Sequence, residues 1–253
     1  MNKVCAPIMF ENIGQIVLLF WRTLASLPVA WRQREKVFEQ FFEIGNASLL
    51  MVCVLSFFIG GVLALQTGPA LVERGLPSAV GGIVGIAVAK ELAPVMMAIL
   101  IAGRIGSSMA AEIGSMRVYQ EIDALRTMNI NPIHYLVLPR VLAMAAALPL
   151  LVVFAIIIGW FGGATVAELN RHMGIPYAVY FGDLRNMVEL KDVANGVFKS
   201  FCFALIIGTV SCHQGLTTMG GPRGIGRSVT KAVVNSIILI VMFDYILTRM
   251  LQH

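Results

Sequence analysis

The sequence predicts an all-α membrane protein in which five transmembrane helices follow an amphipathic helix that lies in the membrane interface. Of its 253 residues, 58% are hydrophobic and only 13% are charged, and the mean hydropathy is +0.81. A soluble domain usually carries about 25% charged residues. Apolar segments of about 20 residues, the length that crosses a bilayer as a helix, occupy most of the chain. Little is left for a separate soluble catalytic domain.

Five apolar segments define a predicted membrane domain over residues 44–253. The clearest is residues 47–66, which contain no charge. The other predicted spans lie at about 80–103, 141–165, 194–213 and 232–249. Lys90 and Glu91 interrupt the second of these spans, and Asp244 lies near the end of the fifth.

The segment 1–43 has a different pattern. Residues 8–29 are apolar in places but include Glu11, Gln15 and Arg22. After Pro28, apolar residues recur at helical spacing between charged ones, at Val37, Phe38, Phe41 and Phe42. This pattern is typical of a helix that lies in the membrane interface. We therefore assign residues 1–43 to the cytoplasmic face, with a sixth span over residues 8–29 as the alternative.

The distribution of positive charge predicts the orientation. With a cytoplasmic N-terminus, twelve of the nineteen Lys and Arg residues fall in inside segments and five in outside segments. The positive-inside rule therefore favours a cytoplasmic N-terminus and a C-terminus on the opposite side. The net charge of +5 suits contact with anionic lipid, and we do not expect nucleic-acid binding.

One cytoplasmic segment, between the second and third predicted spans, combines small residues with a short amphipathic stretch. Gly106, Ser107 and Ser108 begin it, and the stretch Val118–Met128 follows. Asn131-Pro132 then predicts the end of the helix.

Motifs that would indicate catalysis are missing from the sequence. It contains no GxxxxGK[ST] phosphate loop, no HExxH, no GxSxG and no Cys/His spacing typical of a metal site. The four cysteines form no CxxC pair. We therefore expect no catalytic residue, no metal and no cofactor in this chain.

The adjacent charges Lys90 and Glu91 lie near the middle of a predicted span. A bare charge there costs at least ~2.5–3.5 kcal/mol, which makes it a functional candidate. A self-neutralising pair or a water-facing position remains the alternative. Adjacent residues project about 100° apart on a helix, so the two cannot both face one neighbour. For Asp244, nearer a membrane end, we favour a structural or interfacial role.

Two glycine pairs at i, i+4 spacing, Gly81/Gly85 and Gly159/Gly163, match the small-xxx-small pattern of close helix packing. The sequence leaves open whether they pack helices within one chain or form a homodimer interface.

An ordered series of motifs gives the sequence a specific resemblance. The series comprises Lys90-Glu91-Leu92, Pro94-Val95, Ala102-Gly103-Arg104, Gly106-Ser107, Ala111-Glu112, Gly114, Met116, Glu121-Ile122-Asp123 and Pro139-Arg140. With these motifs the chain resembles the MlaE/YrbE family of permeases, which work with MCE-domain proteins in bacterial phospholipid trafficking. The resemblance extends from about residue 44 to the C-terminus. Lys90 stands where many relatives carry Arg, which keeps the charge but not bidentate pairing.

The resemblance implies the membrane-spanning permease subunit of an ABC-type phospholipid transporter. It would act between the bacterial inner membrane and a periplasmic MCE-domain partner in outer-membrane lipid homeostasis. The family also implies a homodimer with a lipid cavity between the protomers. Two copies of a separate ATPase subunit would bind and hydrolyse ATP, so this chain itself is not expected to be an enzyme.

Two sets of residues follow from this interpretation. A phospholipid cavity should be apolar over most of its depth, and spans one and five offer such walls; the expected cavity residues are Leu55, Phe58, Val62, Leu63, Gln66, Ile237 and Ile240. The resemblance makes the stretch between spans two and three a cytoplasmic coupling helix for the ATPase; its expected contact residues are Glu121, Ile122, Asp123, Leu125, Arg126 and Met128.

Two functions of other classes remain as alternatives. An ion-coupled secondary transporter could use Lys90, Glu91 and Asp244 as an ion path, although such proteins usually show internal repeats and none is visible. An integral-membrane lipid enzyme would need a clustered acid–base or metal constellation, which the sequence lacks.

The predicted orientation can be tested with single cysteines at positions 36 and 253, in a variant whose native cysteines are replaced. We expect a membrane-impermeant thiol reagent, applied from outside the inner membrane, to label position 253 and not position 36. Labelling of both from the same side would contradict the orientation.

Overall fold

The computed structural model describes residues 5–26, 33–170 and 173–251, with side chains from residue 14 onward. In these ranges the chain forms helices joined by short turns, and no strand. The helices are α1 (Cys5–Ala25), α2 (Arg34–Glu73), α3 (Pro77–Val118), α4 (Glu121–Thr127), α5 (Ile133–Leu169), α6 (Tyr177–Met187), α7 (Leu190–Leu216) and α8 (Gly221–Leu251).

Five of these helices, α2, α3, α5, α7 and α8, are long and apolar enough to cross a membrane. Their lengths run from 27 to 42 residues, above the roughly 20 that a span requires. The described apolar part of α1, Gly14–Ala25, is shorter than a span. The predicted fold class, five long apolar helices preceded by a shorter N-terminal helix, is confirmed.

Helix α2 runs through the predicted boundary at residues 43 and 44 without a break. Between Arg34 and Gln66 the sequence contains no proline, and Gly45 alone does not end a helix whose neighbours are strong helix formers. Phe38 and Phe42 are exposed on its N-terminal part. The position of residues 1–43 at the membrane surface stays a prediction.

Helix α3 is not a regular α-helix throughout, because it contains π turns at Val88–Leu92 and Ala102–Gly106. In a regular helix the carbonyl of Lys90 would accept from the N–H of residue 94, but Pro94 has none. A π turn includes one extra residue and is frequent at functional positions. The first π turn carries both charges that the sequence places inside the second span.

The chain divides into two compact units, and each of the five long helices contributes a stretch to both. The first unit comprises residues 1–44, 99–146 and 203–243. One cluster of its core contains Leu19, Ile113, Ile122, Leu136, Val137, Val141 and Cys212. This cluster joins residues of α1, α3, α4, α5 and α7, so the short helix α4 is fixed to its own chain by burial of an apolar side chain.

The second unit comprises residues 45–98, 147–202 and 244–253, and glycines allow its helices to approach closely. A Cβ added at Gly60 of α2 would overlap the backbone of Gly159 in α5, and one at Gly162 would overlap the backbone of Phe57. Gly81 of α3 contacts the Tyr180 backbone of α6 in the same way. The glycine pairs identified in the sequence therefore pack helices within the chain.

Candidate functional site

A cluster of charged side chains lies in the second unit, where α3, α7 and α8 meet. Helix α3 contributes Lys90 and Glu91 from its first π turn, and α7 contributes Lys199. Helix α8 contributes Asp244 and Thr248 from its last turns. The cluster joins residues up to 157 positions apart in the sequence.

Lys199 is the centre of this cluster. Its side chain is only 3% exposed. The Nζ atom lies 2.8 and 2.9 Å from the two carboxylate oxygens of Glu91 and 3.1 Å from Oδ1 of Asp244. It also donates to Oγ1 of Thr248 at 2.6 Å, and the Thr248 hydroxyl in turn donates to Glu91 at 3.2 Å. The ammonium is therefore surrounded by acceptors, as a buried cation requires.

The backbone irregularity of α3 supplies one further acceptor. Nζ of Lys199 lies 3.3 Å from the carbonyl oxygen of Lys90, the carbonyl that Pro94 deprives of its regular α-helical donor. The lysine thus satisfies a main-chain group as well as two carboxylates. This hydrogen bond links the π turn of α3 to α7.

Lys90 takes part in a separate ion pair. Its Nζ lies 2.9 Å from Oδ1 of Asp192, at the start of α7. Lys90 is 36% exposed and Asp192 is 10% exposed. Lys90 and Glu91 therefore do not neutralise each other, and both pair with α7, at Asp192 and Lys199. The expectation that the two cannot both face one neighbour is wrong, because partners two turns apart on α7 allow both long side chains to reach one helix.

The cluster borders a polar cleft of about 370 Å³, which Lys90, Glu91, Asp192 and Lys199 line together with Glu189 and Lys191. If every group of the two pairings is ionised, two lysines face three carboxylates, a formal charge of −1. Among the described residues, no group of His, Cys, Asp and Glu side chains could hold a metal ion. The arrangement can fix the relative positions of three helices by charge. An ion path through Glu91 and Asp244 would require the Lys199 contacts to open.

Three of these residues, Lys90, Glu91 and Asp244, are candidates from the sequence, and the structure brings Glu91 and Asp244 together. Lys199 is the residue missed, although a lysine inside a predicted span is itself a signal. Asp192 lies just before the predicted fourth span at about 194–213, whereas the structure includes it in α7, where it is buried.

The residues expected to form a lipid cavity differ in their exposure. On α2, Leu55, Phe58 and Val62 are 36%, 63% and 49% exposed, in line along one face. Gln66 is exposed, and Leu63 and Ile237 are half-buried. Ile240 of α8 is fully buried within the first unit. We therefore remove Ile240 from the cavity residues, since a side chain enclosed by its own chain offers a lipid no surface; Ile238 and Val241 are exposed on α8 instead.

The residues expected to contact an ATPase also fall into two groups. Glu121, Arg126 and Met128 are exposed. Ile122, in contrast, is fully buried in the core cluster of the first unit, and Leu125 packs against that cluster. Ile122 is therefore removed from the partner-facing residues, because it fixes α4 to its own chain.

The structure also shows what ends α4 on each side and what holds its Asp123 carboxylate in place. Gln120 and Asn129, one on each side of α4, have positive φ angles of 61° and 59°, which end helices sharply. Arg117 holds the carboxylate of Asp123 at 2.8 and 3.0 Å. Tyr119, 68% exposed, adds an aromatic ring to the outward surface next to α4.

Two motifs that are 28 residues apart in the sequence meet in the first unit. Arg140 of the Pro139-Arg140 motif lies 2.9 Å from the carboxylate of Glu112 in the Ala111-Glu112 motif. Glu112 also accepts from the Ser108 hydroxyl at 3.2 Å. The motifs thus correspond to a tertiary contact between α3 and α5.

The family described as Permease MlaE matches residues 37–250. The chain belongs to this family. A probable ABC transporter permease protein of Synechocystis sp. is 36% identical over 85% of this chain and 81% of the relative. A protein of the same description from Rickettsia typhi is 34% identical over 95% of this chain and 92% of the relative. Protein TRIGALACTOSYLDIACYLGLYCEROL 1, chloroplastic, of Arabidopsis thaliana is 34% identical over 93% of this chain and 65% of the relative.

For this MlaE-family permease we predict that Lys199→Met lowers stability by about 1–3 kcal/mol, since it leaves the partly exposed carboxylates of Glu91 and Asp244 without their cation. The triple variant Lys199→Met/Glu91→Gln/Asp244→Asn should recover most of the loss, because it removes the unpaired charges as well. Thermal unfolding of the purified protein in detergent measures both effects.

The matched control is Lys191→Met, which removes an exposed lysine from the same cleft and should change stability by no more than about 0.5 kcal/mol. Equal unfolding temperatures for Lys199→Met and Lys191→Met would show that the buried cluster does not stabilise the permease.

Proposed function

We propose that this permease is the membrane-spanning subunit of an ATP-driven phospholipid transporter in the bacterial inner membrane. A separate ABC ATPase would supply the energy, and a periplasmic MCE-domain protein would exchange lipid with it in outer-membrane lipid homeostasis. Membership of the MlaE family and the relatives described as ABC transporter permeases support the transport role. The Arabidopsis relative, named after a diacylglycerol glycolipid, supports a lipid as the substrate.

The observation that carries the proposal is the unequal burial of the spans. In the most hydrophobic window of each span, 44% to 56% of the residues are buried for α3, α5 and α7. The corresponding shares are 33% for α2 and 17% for α8. These two helices are the ones whose sequences predict the walls of the lipid cavity.

We propose that a second copy of the chain and the transported lipid cover the exposed apolar face of α2 and that of α8. Phe58 and Val62 on α2 would contact the acyl chains, and the exposed side chains Ile238 and Val241 would do so on α8. Acyl chains require apolar contact without directional partners, which aliphatic and aromatic side chains supply. Gln66, exposed toward the end of this stripe, is a polar group that could meet the head group.

We further propose that the outward surface of α4 transmits the motion of the ATPase. Ile122 and Leu125 anchor the helix in the core of the first unit, so a force applied to α4 moves that core with it. Glu121 and Met128 remain exposed for a partner, together with Tyr119. A rigidly attached helix with a free outer face has the mechanical properties that coupling requires.

The lipid cavity can be tested with a photo-crosslinking amino acid at Phe58 or Val62. In the complex purified with its partners, after washing with detergent to remove bulk lipid, we expect illumination to label a retained phospholipid. Phe154 is the matched control, because it is also an exposed phenylalanine, on α5. Equal labelling from Phe58 and Phe154 would mean that the stripe on α2 contacts only bulk lipid.

The coupling role of α4 can be tested by charge reversal. Glu121→Lys should lower ATP-dependent lipid transport by about tenfold or more, the loss expected when a charge-assisted contact is removed, while the permease still folds. Glu168→Lys, an exposed charge reversal at the end of α5, is the control and should keep normal transport. Retention of the ATPase on affinity purification, together with lipid transfer between proteoliposomes, measures the outcome. Full transport and ATPase retention in Glu121→Lys would exclude this contact.

A further inference from the structure

A second and larger cleft, of about 820 Å³, lies in the first unit. Residues of α1, α4, the first turn of α5 and the end of α7 line it. Its ionisable lining residues are Arg22, Arg126, His134 and His213, and no carboxylate is among the described residues that line it. A cleft of this size lined by cationic and polar groups is suited to an anionic ligand.

Both arginines have hydrogen-bonding capacity left for a ligand. Arg126 lies 3.5 Å from Asp123, but that carboxylate is already held at 2.8 Å by Arg117. One carboxylate thus offsets only one of two guanidinium charges. In the described part of the chain, no carboxylate lies within ion-pair distance of Arg22, whose side chain is exposed.

His213 supplies a buried polar group. It is 6% exposed and lines the cleft. Its carbonyl accepts from Thr217, but its imidazole forms no hydrogen bond with another described residue. The ring nitrogens are not among the described buried polar atoms left without a partner, so they are accessible from the cleft and can bond a ligand there.

The cleft continues into an apolar surface on α1. Val17, Leu18, Trp21 and Leu24 of this helix are 42% to 68% exposed, and Leu18 also lines the cleft. Tryptophan beside arginine is typical of a segment at the level of lipid head groups. An amphiphile could place its anionic end at the arginines and its apolar chains along this face.

We propose that this cleft binds a phosphate ester, namely the head group of an anionic phospholipid in the adjacent leaflet. Arg22 and Arg126 contact the phosphate, since guanidinium groups match its geometry, and His213 donates from the buried side. Such a lipid is a bound component of the fold at α1 and is not the transported molecule. Binding therefore requires neither ATP nor the transport cycle.

The test uses the permease purified with its natural partner subunits in neutral detergent. Native mass spectrometry counts phosphatidylglycerol or phosphatidylcholine retained per protomer as each lipid is added, with inorganic phosphate as a competitor. In Arg22→Gln/Arg126→Gln the affinity for phosphatidylglycerol should fall about tenfold or more. Retention of phosphatidylcholine should fall by a smaller factor, because its choline ammonium already offsets the charge of the phosphate. Arg22→Lys/Arg126→Lys should lose less affinity than the glutamine variant, because the charge remains although the bidentate geometry is lost.

The control is Arg223→Gln/Arg227→Gln, which removes two exposed arginines from α8 in the same unit and should bind as the parent does. If inorganic phosphate displaces the retained lipid and phosphatidylglycerol is not preferred over phosphatidylcholine, the result would support the anion site and assign it to soluble phosphate compounds. Unchanged binding of phosphatidylglycerol and of inorganic phosphate in the double glutamine variant would overturn the proposal. The readout is independent of transport, so a failure of the proposed transport role would leave it standing.

Discussion

The ammonium group of Lys199 sets the constraint on which the second unit depends. A buried cation is tolerated only where acceptors surround it, and here they come from α3 and α8, at Glu91, Asp244 and Thr248. Because attraction between charges is strong in a medium of low dielectric, the cluster fixes which helices are neighbours. The carbonyl of Lys90, which Pro94 leaves without its regular donor, also accepts a hydrogen bond from Lys199. The irregular backbone of α3 and the buried charge therefore stabilise each other.

Glycine makes the short distances of the second unit possible. Lipid chains are as apolar as leucine, so helices in a membrane associate through close packing and polar contacts. Gly60, Gly159 and Gly162 bring α2 and α5 into backbone contact, while Trp160, next to Gly159 in the sequence, donates to the Gly85 carbonyl of α3 at 3.2 Å. Small residues thus align the helices, and the indole bond ties α5 to α3, the helix that carries Glu91.

Hydropathy predicted the five long helices because a chain in lipid must satisfy its backbone internally, and a long apolar helix does so. The sequence does not reveal which charged residues pair with one another within the bundle. Lys90 and Glu91 are adjacent in the sequence, but their partners, Asp192 and Lys199, lie a hundred residues further on. Helical periodicity likewise defines a face but not what covers it. For this reason Ile122 and Ile240, assigned to outward surfaces, are enclosed by their own chain.

The same reasoning connects the charged cluster with the proposed lipid surface. Helix α8 has the least buried apolar window of the five spans, and its buried face is a narrow stripe of mostly small residues at i, i+4 spacing, from Gly224 to Ile240. Its last turns are held through Asp244 and Thr248, which share the Lys199 ammonium. A helix that must expose apolar surface to a lipid or to a second protomer cannot use that surface to dock on its own chain. The narrow buried stripe and the polar contacts near its end leave the opposite face of α8, with Ile238 and Val241, exposed for that role.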